Sequence, residues 1–237
     1  MMFDPLIAEI RFGTGLSPTL QPSLSPDAMM SRLLLPDTAA TSYPIRPWAS
    51  HLPVLTAFRD LRRDIRQKAL SDEEGRAADK VMRQDSRMKA LLDLRSHITR
   101  HAMSNDGFRE RLVQFWANHF TAFGKTGMMR FTGLGYIEEA IRPHIAGNFA
   151  DILKAATTHP LMLHYLDQAR SIGPNSLIGK IRGRGLNENL AREVIELHTL
   201  GVGAQYTQND VRELAELFTG MSVSPVSYTH LTLPTKA

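Results

Sequence analysis

The sequence predicts an all-α protein, an irregular multi-helix bundle with a loop-rich N-terminal arm. Two observations carry this: apolar residues recur at i, i+3, i+4 and i+7 over most of the chain from residue 53 onward, and no run alternates apolar and polar residues over the length of a strand. With 237 residues and 43% apolar content, the chain is long enough to form one or two domains with a substantial core.

Residues 4–11 are expected to form a short helix, followed by a segment rich in Pro, Ser and Thr from Thr14 to Pro47 that is mostly loop, with a short helix near 26–35. Residues 1–52 are thus read as an arm and 53–225 as the helical domain. From Pro53 to about His101, Leu55, Phe58, Leu61 and Ile65 stand at helical spacing, and a charge-dense second part alternates in sign. That alternation predicts a solvated helix face laced with i, i+4 pairs rather than a docking surface. Asn105 or Asp106 caps the next helix, whose Phe108, Leu112, Phe115, Trp116, His119 and Phe123 are expected to share one apolar arc. After a glycine-rich break at 124–135, Ile137, Ala140, Ile141, His144 and Ile145 line one side of a helix that Pro143 should kink or divide. The GKT at 124–126 is not a phosphate loop, because the glycine that should open the motif is absent and the preceding segment is helical. Pro160 suits the first turn of the following helix. Residues 171–185 form a glycine-rich basic loop with Lys180, Arg182 and Arg184, candidate anion contacts.

The most patterned stretch is Asn187 to Gly220. Leu190, Ala191, Val194 and Leu197 are predicted on one side of a helix capped by Asn187, with Asn189, Arg192, Glu193 and Glu196 opposite. Gly201 and Gly203 end it. Thr207 and Asp210 form a capping box for a second helix that buries Val211, Leu214, Ala215 and Phe218. In this stretch NENLARE, ELHTLGV, YTQNDV and FTG resemble the signature of the bacterial domain-of-unknown-function 1800 family. FWANHF (115 to 120), IRPHIAGNF (141 to 149), HPLMLHYLD (159 to 167) and SIGPNS (171 to 176) match it in the same order, and IRFGTGLSP (10 to 18) more loosely. The resemblance implies a longer protein, so a C-terminal part is expected to pack against this chain, and it brings no established activity. Residues Val226 to Ala237 have neither helical period nor family character and back-translate as a transposon-based sequencing adapter. They are expected to be a non-native tail that pairs with nothing.

Composition excludes several classes. The chain has no cysteine, hence no disulfide framework, thiol nucleophile or cysteine zinc site. The formal charge of +4 is too diffuse for a nucleic-acid footprint. A helix-turn-helix reading of 187–220 would bring Asp210, Glu213 and Glu216 to the phosphates against a single Arg212, so nucleic acid is not an expected partner. No apolar run reaches a membrane span and no export signal is visible, which gives a cytoplasmic location by default. Two groups of residues could carry chemistry. Asn189, Arg192, Glu193 and Glu196 on one helix face could orient a water or hold a divalent ion. His119, His144 and His198, each within an apolar arc, are candidate ligands for a transition metal, against the alternative that each is a hydrogen-bonded core residue. No HExxH helix is present. The functional expectation is a metal-assisted or acid–base enzyme, with a scaffold or partner-binding protein as the alternative.

Overall fold

The structure, a computed structural model, describes residues 2–182, 185–222 and 230–231. It is all-α. In chain order the helices are α1 (Pro5–Phe12), α2 (Pro26–Leu33), α3 (Thr38–Ser42), α4 (Leu52–Arg66), α5 (Asp72–Met103), α6 (Gly107–His119), α7 (Gly133–Tyr136), α8 (Phe149–Thr158), α9 (Pro160–Tyr165), α10 (Leu177–Arg182), α11 (Asn189–Glu193) and α12 (Gln208–Phe218). No helix among the described residues is long and apolar enough to cross a membrane. The chain divides into two compact units, Met1–Asn118 with Leu134–Ile152, and His119–Gly133 with Leu153–Ala237.

Local chemistry starts most elements where the sequence places them. Asp4, Ser25 and Asp37 each accept backbone N–H groups at the starts of α1, α2 and α3. Ser71 and Glu74 form a capping box at α5, and Thr207 and Asp210 form the expected one at α12. Gly201 at φ 90° and Gly203 at φ 83° end the helix before α12, a conformation that a side chain would disfavour. Around Pro143 the chain tightens from a π-helical turn at Ile137–Ile141 to a 3₁₀ turn at Arg142–His144, the division expected of a proline there.

In the first unit the N-terminal arm is part of the core: Ile45, Trp48 and His51 are buried in it. Gly135 permits this, since a Cβ there would sit 2.8 Å from the Trp48 backbone N and 2.9 Å from its Cα. The core of this unit is strongly polar. The Arg142 guanidinium donates to Asp37 (2.6 and 3.0 Å) and to Glu110 (2.6 and 3.0 Å), whose side chain is fully buried. Burial alone would raise the Asp37 carboxyl, but hydrogen bonds from Arg142 and the Ala40 N–H hold it below its ordinary value. Arg109 donates to Asp106 and to the carbonyls of Arg32, Leu33 and Leu35, which finish the C-terminal end of α2.

These ion pairs overturn the expected arc on α6. Arg109, Glu110 and Val113 face inward, whereas Phe115 and Phe123 are exposed, and the helix ends at His119 before Phe123. The buried carboxylate and guanidinium fix which side of the helix turns in, against its aromatic content. In the second unit α12 buries Val211, Ala215 and Phe218 as expected. The basic segment at 171–185 is not all loop. It contains α10, where the Ser176 hydroxyl accepts from the Gly179 N–H. The tail expectation also fails at one point: His230 pairs with Ser222, and Leu231 with Met221, in a short antiparallel ladder. The rest of 226–237 lies outside the described residues.

Candidate functional site

The polar cluster and His198 fall on the helix that begins at α11, and its real register differs from the ideal one. After Glu193 the helix widens to a π-helical segment, Val194–Thr199, so an extra residue enters the turn and rotates the residues beyond it. Leu190, Ala191, Ile195 and His198 are buried, while Leu197, expected in the core, is 55% exposed.

The polar face does gather, as a surface network. Arg192 donates to Glu196 (2.9 Å), Glu188 (3.2 Å) and Gln208 (2.9 Å), and Gln208 donates to Glu188 (2.8 Å). This ties α11 to the start of α12. Burial, with the Glu196 charge nearby, raises the Glu193 carboxyl. Asn189 is exposed, its backbone N–H donating to the Asn187 side chain, while Glu188 rather than the expected Asn187 stands at the N-cap and makes no side-chain cap bond.

The histidines divide. His198 is buried, its ring centroid 5.0 Å from that of Phe120 and 5.8 Å from that of His119, and His119 Nε2 donates to the His198 carbonyl (3.2 Å). Burial, together with the His119 imidazole, lowers His198 to about 4, so it is neutral at neutral pH. His144 belongs to the first unit, half-buried on the 3₁₀ turn. Among the described residues no three His, Asp or Glu side chains gather as metal ligands. Of the anion candidates, Lys180 is exposed on α10, the backbone of Arg182 ends that helix, and Arg184 lies outside the described residues.

The feature that sequence reasoning passed over is α5. It shows i, i+4 pairs of the expected kind, Asp79 with Arg83 (2.9 Å) and Asp85 with Lys89 (2.8 Å). Yet its buried residues are Gly75, Ser86, Asp93 and Arg100. Asp93 is held by Arg46 at 2.7 Å, and Arg100 donates to Glu138 (2.7 Å) and to the Tyr43 carbonyl (2.8 Å). Burial keeps the Glu138 carboxyl above its ordinary value in spite of Arg100. Meanwhile Val81, Met88, Leu91, Leu92 and Ile98 are 48 to 64% exposed. A surface helix ordinarily turns its apolar stripe inward; α5 does the reverse over three heptads. The signal was available, because Ser86, Asp93 and Arg100 repeat every seven residues opposite Val81, Met88, Leu91 and Ile98. The same helix carries His97 and His101, an i, i+4 pair with ring centroids 4.6 Å apart that its spacing also marks.

Fold and site together define an all-helical protein with an ion-paired core and an apolar helix face turned to solvent. The profile of the family described as "Protein of unknown function (DUF1800)" matches residues 9–235, and the chain belongs to that family. No curated protein and no solved structure matches the chain.

Proposed function

We propose that the chain is a partner-binding, scaffold-type helical protein whose working surface is the exposed face of α5. The inversion of that helix carries the reading: its buried side is held by ion pairs, while its apolar side meets water at a cost of order 25 cal/mol per Å² that a docked partner would relieve. The enzyme reading has less support. Arg192 is engaged by Glu188, Glu196 and Gln208, the arrangement of a surface ion network, and His198 sits neutral against Phe120 as a core residue does.

A photocrosslinking amino acid placed singly at Met88, Leu91 or Ile98 in the otherwise intact chain, in the cell it comes from, tests this. Covalent adducts to one protein species, identified by mass spectrometry, are expected at the three positions and not at exposed Glu213 on α12. Absence of adducts at all three, or equal adducts at Glu213, overturns the reading.

A further inference from the structure

The α5 face has the pattern of a coiled-coil seam. Assigned to heptads, Val81, Met88 and Arg95 occupy a positions and Gln84, Leu91 and Ile98 occupy d positions, while the residues that face the unit's own core, Ser86, Asp93 and Arg100, fall at f, opposite the seam. Four seam positions are large and apolar and two are polar. All six are exposed, and the Arg95 guanidinium makes no ion pair among the described residues.

A polar residue in such a seam selects the partner and register that satisfy it. We infer that the occupant of the α5 face is a second copy of the chain, docked antiparallel about a two-fold axis passing between Lys89 and Ala90. This rests on the binding reading proposed above. In that register each a position meets a d position of the other copy. Val81 faces Ile98, Met88 faces Leu91, and Gln84 faces Arg95, so that the Gln84 amide oxygen accepts from the Arg95 guanidinium. Every apolar position meets an apolar one and the two polar positions meet each other, each layer occurring twice by symmetry. A parallel pairing in register would instead set Arg95 against Arg95. From Val81 to Ile98 the seam runs roughly 26 Å at 1.5 Å per residue. With the flanking Leu92 and Leu94, the two copies would bury on the order of 1,000 Å², where specific interfaces begin, which fits a dimer that dissociates at roughly micromolar concentration.

Sedimentation velocity over a concentration series on the intact chain tests this. The expected result is a monomer–dimer equilibrium that Leu91→Glu abolishes. Gln84→Arg, which sets two arginines face to face in two layers, should weaken the dimer roughly ten-fold. The double variant Gln84→Arg with Arg95→Gln restores the pairing with its members exchanged and should return to within a few-fold of the parent. Circular dichroism should be unchanged throughout, and so should thermal midpoints measured at concentrations below the dissociation midpoint, since all these positions are exposed. A chain that stays monomeric, a dimer indifferent to Leu91→Glu, or a Gln84→Arg dimer not rescued by Arg95→Gln each overturns the proposal. A monomer whose seam still crosslinks to a different protein would overturn self-pairing alone and leave the binding reading standing.

Discussion

Arg142 is the point at which the first unit should be most sensitive to substitution. Its guanidinium makes four charge-assisted hydrogen bonds, two to Asp37 and two to the fully buried Glu110. Charge-assisted bonds contribute about 1.5 to 3 kcal/mol each, and relief from desolvating the cation offsets part of their loss. Removing one partner of a buried pair typically costs about 3 to 5 kcal/mol, since the remaining charge is left uncompensated. Arg142→Met is therefore expected to cost about 4 kcal/mol, a large share of the roughly 5 to 15 kcal/mol that stabilises a domain. Glu110→Gln should cost less, about 2 to 3 kcal/mol, because Arg142 keeps Asp37. The double change Glu110→Leu with Arg142→Met should cost less than the sum of its singles by about 1 to 3 kcal/mol. Equilibrium urea unfolding at neutral pH, read by far-UV circular dichroism with the slope checked for constancy, measures all of these. Arg142→Met costing under about 1 kcal/mol, or strictly additive singles, would show that the network contributes nothing as a unit.

Two imidazoles, buried His198 and half-buried His97, set a pH dependence. Burial, with the neighbouring His119 or His101 ring, lowers His198 and His97 to about 4, so the unfolded chain binds more protons below about 6.5. Their contribution is fully present above that value and is lost as pH falls toward 4, by about 2 to 3 kcal/mol for His198. Urea midpoints at pH 7.5, 5.5 and 4.5 should fall in that order, and a flat profile would show that neither ring is held neutral by the fold. His198→Gln should cost about 1 to 3 kcal/mol at neutral pH and flatten part of the slope; an unchanged slope would remove His198 from the account. Gly135→Ala should cost at least about 2 kcal/mol, because its Cβ would meet the Trp48 backbone, which cannot turn aside. A thermal midpoint equal to that of the parent chain would mean the arm is not packed where the structure places it.

Elements whose causes are local were legible in the amino-acid sequence. Capping side chains, the glycines at 201 and 203, the proline break at 143 and the apolar spacing of α12 act within a few residues, so they are readable without knowing what lies across the fold. Family membership was legible for a related reason, since several short motifs recur in order along one chain. Which way the helices turn was settled only by contacts between distant parts of the chain. On α6 the pairing of Glu110 with Arg142, thirty-two residues away, outweighs an aromatic arc. After α11, the π-helical segment moves Leu197 out and Ile195 in. On α5, Arg46 and Glu138 draw Asp93 and Arg100 inward and leave the aliphatic face in water. An apolar residue can be buried against any apolar neighbour, but a charge can be buried only where an opposite charge waits. That partner comes from a distant part of the chain, and only the folded chain brings it near.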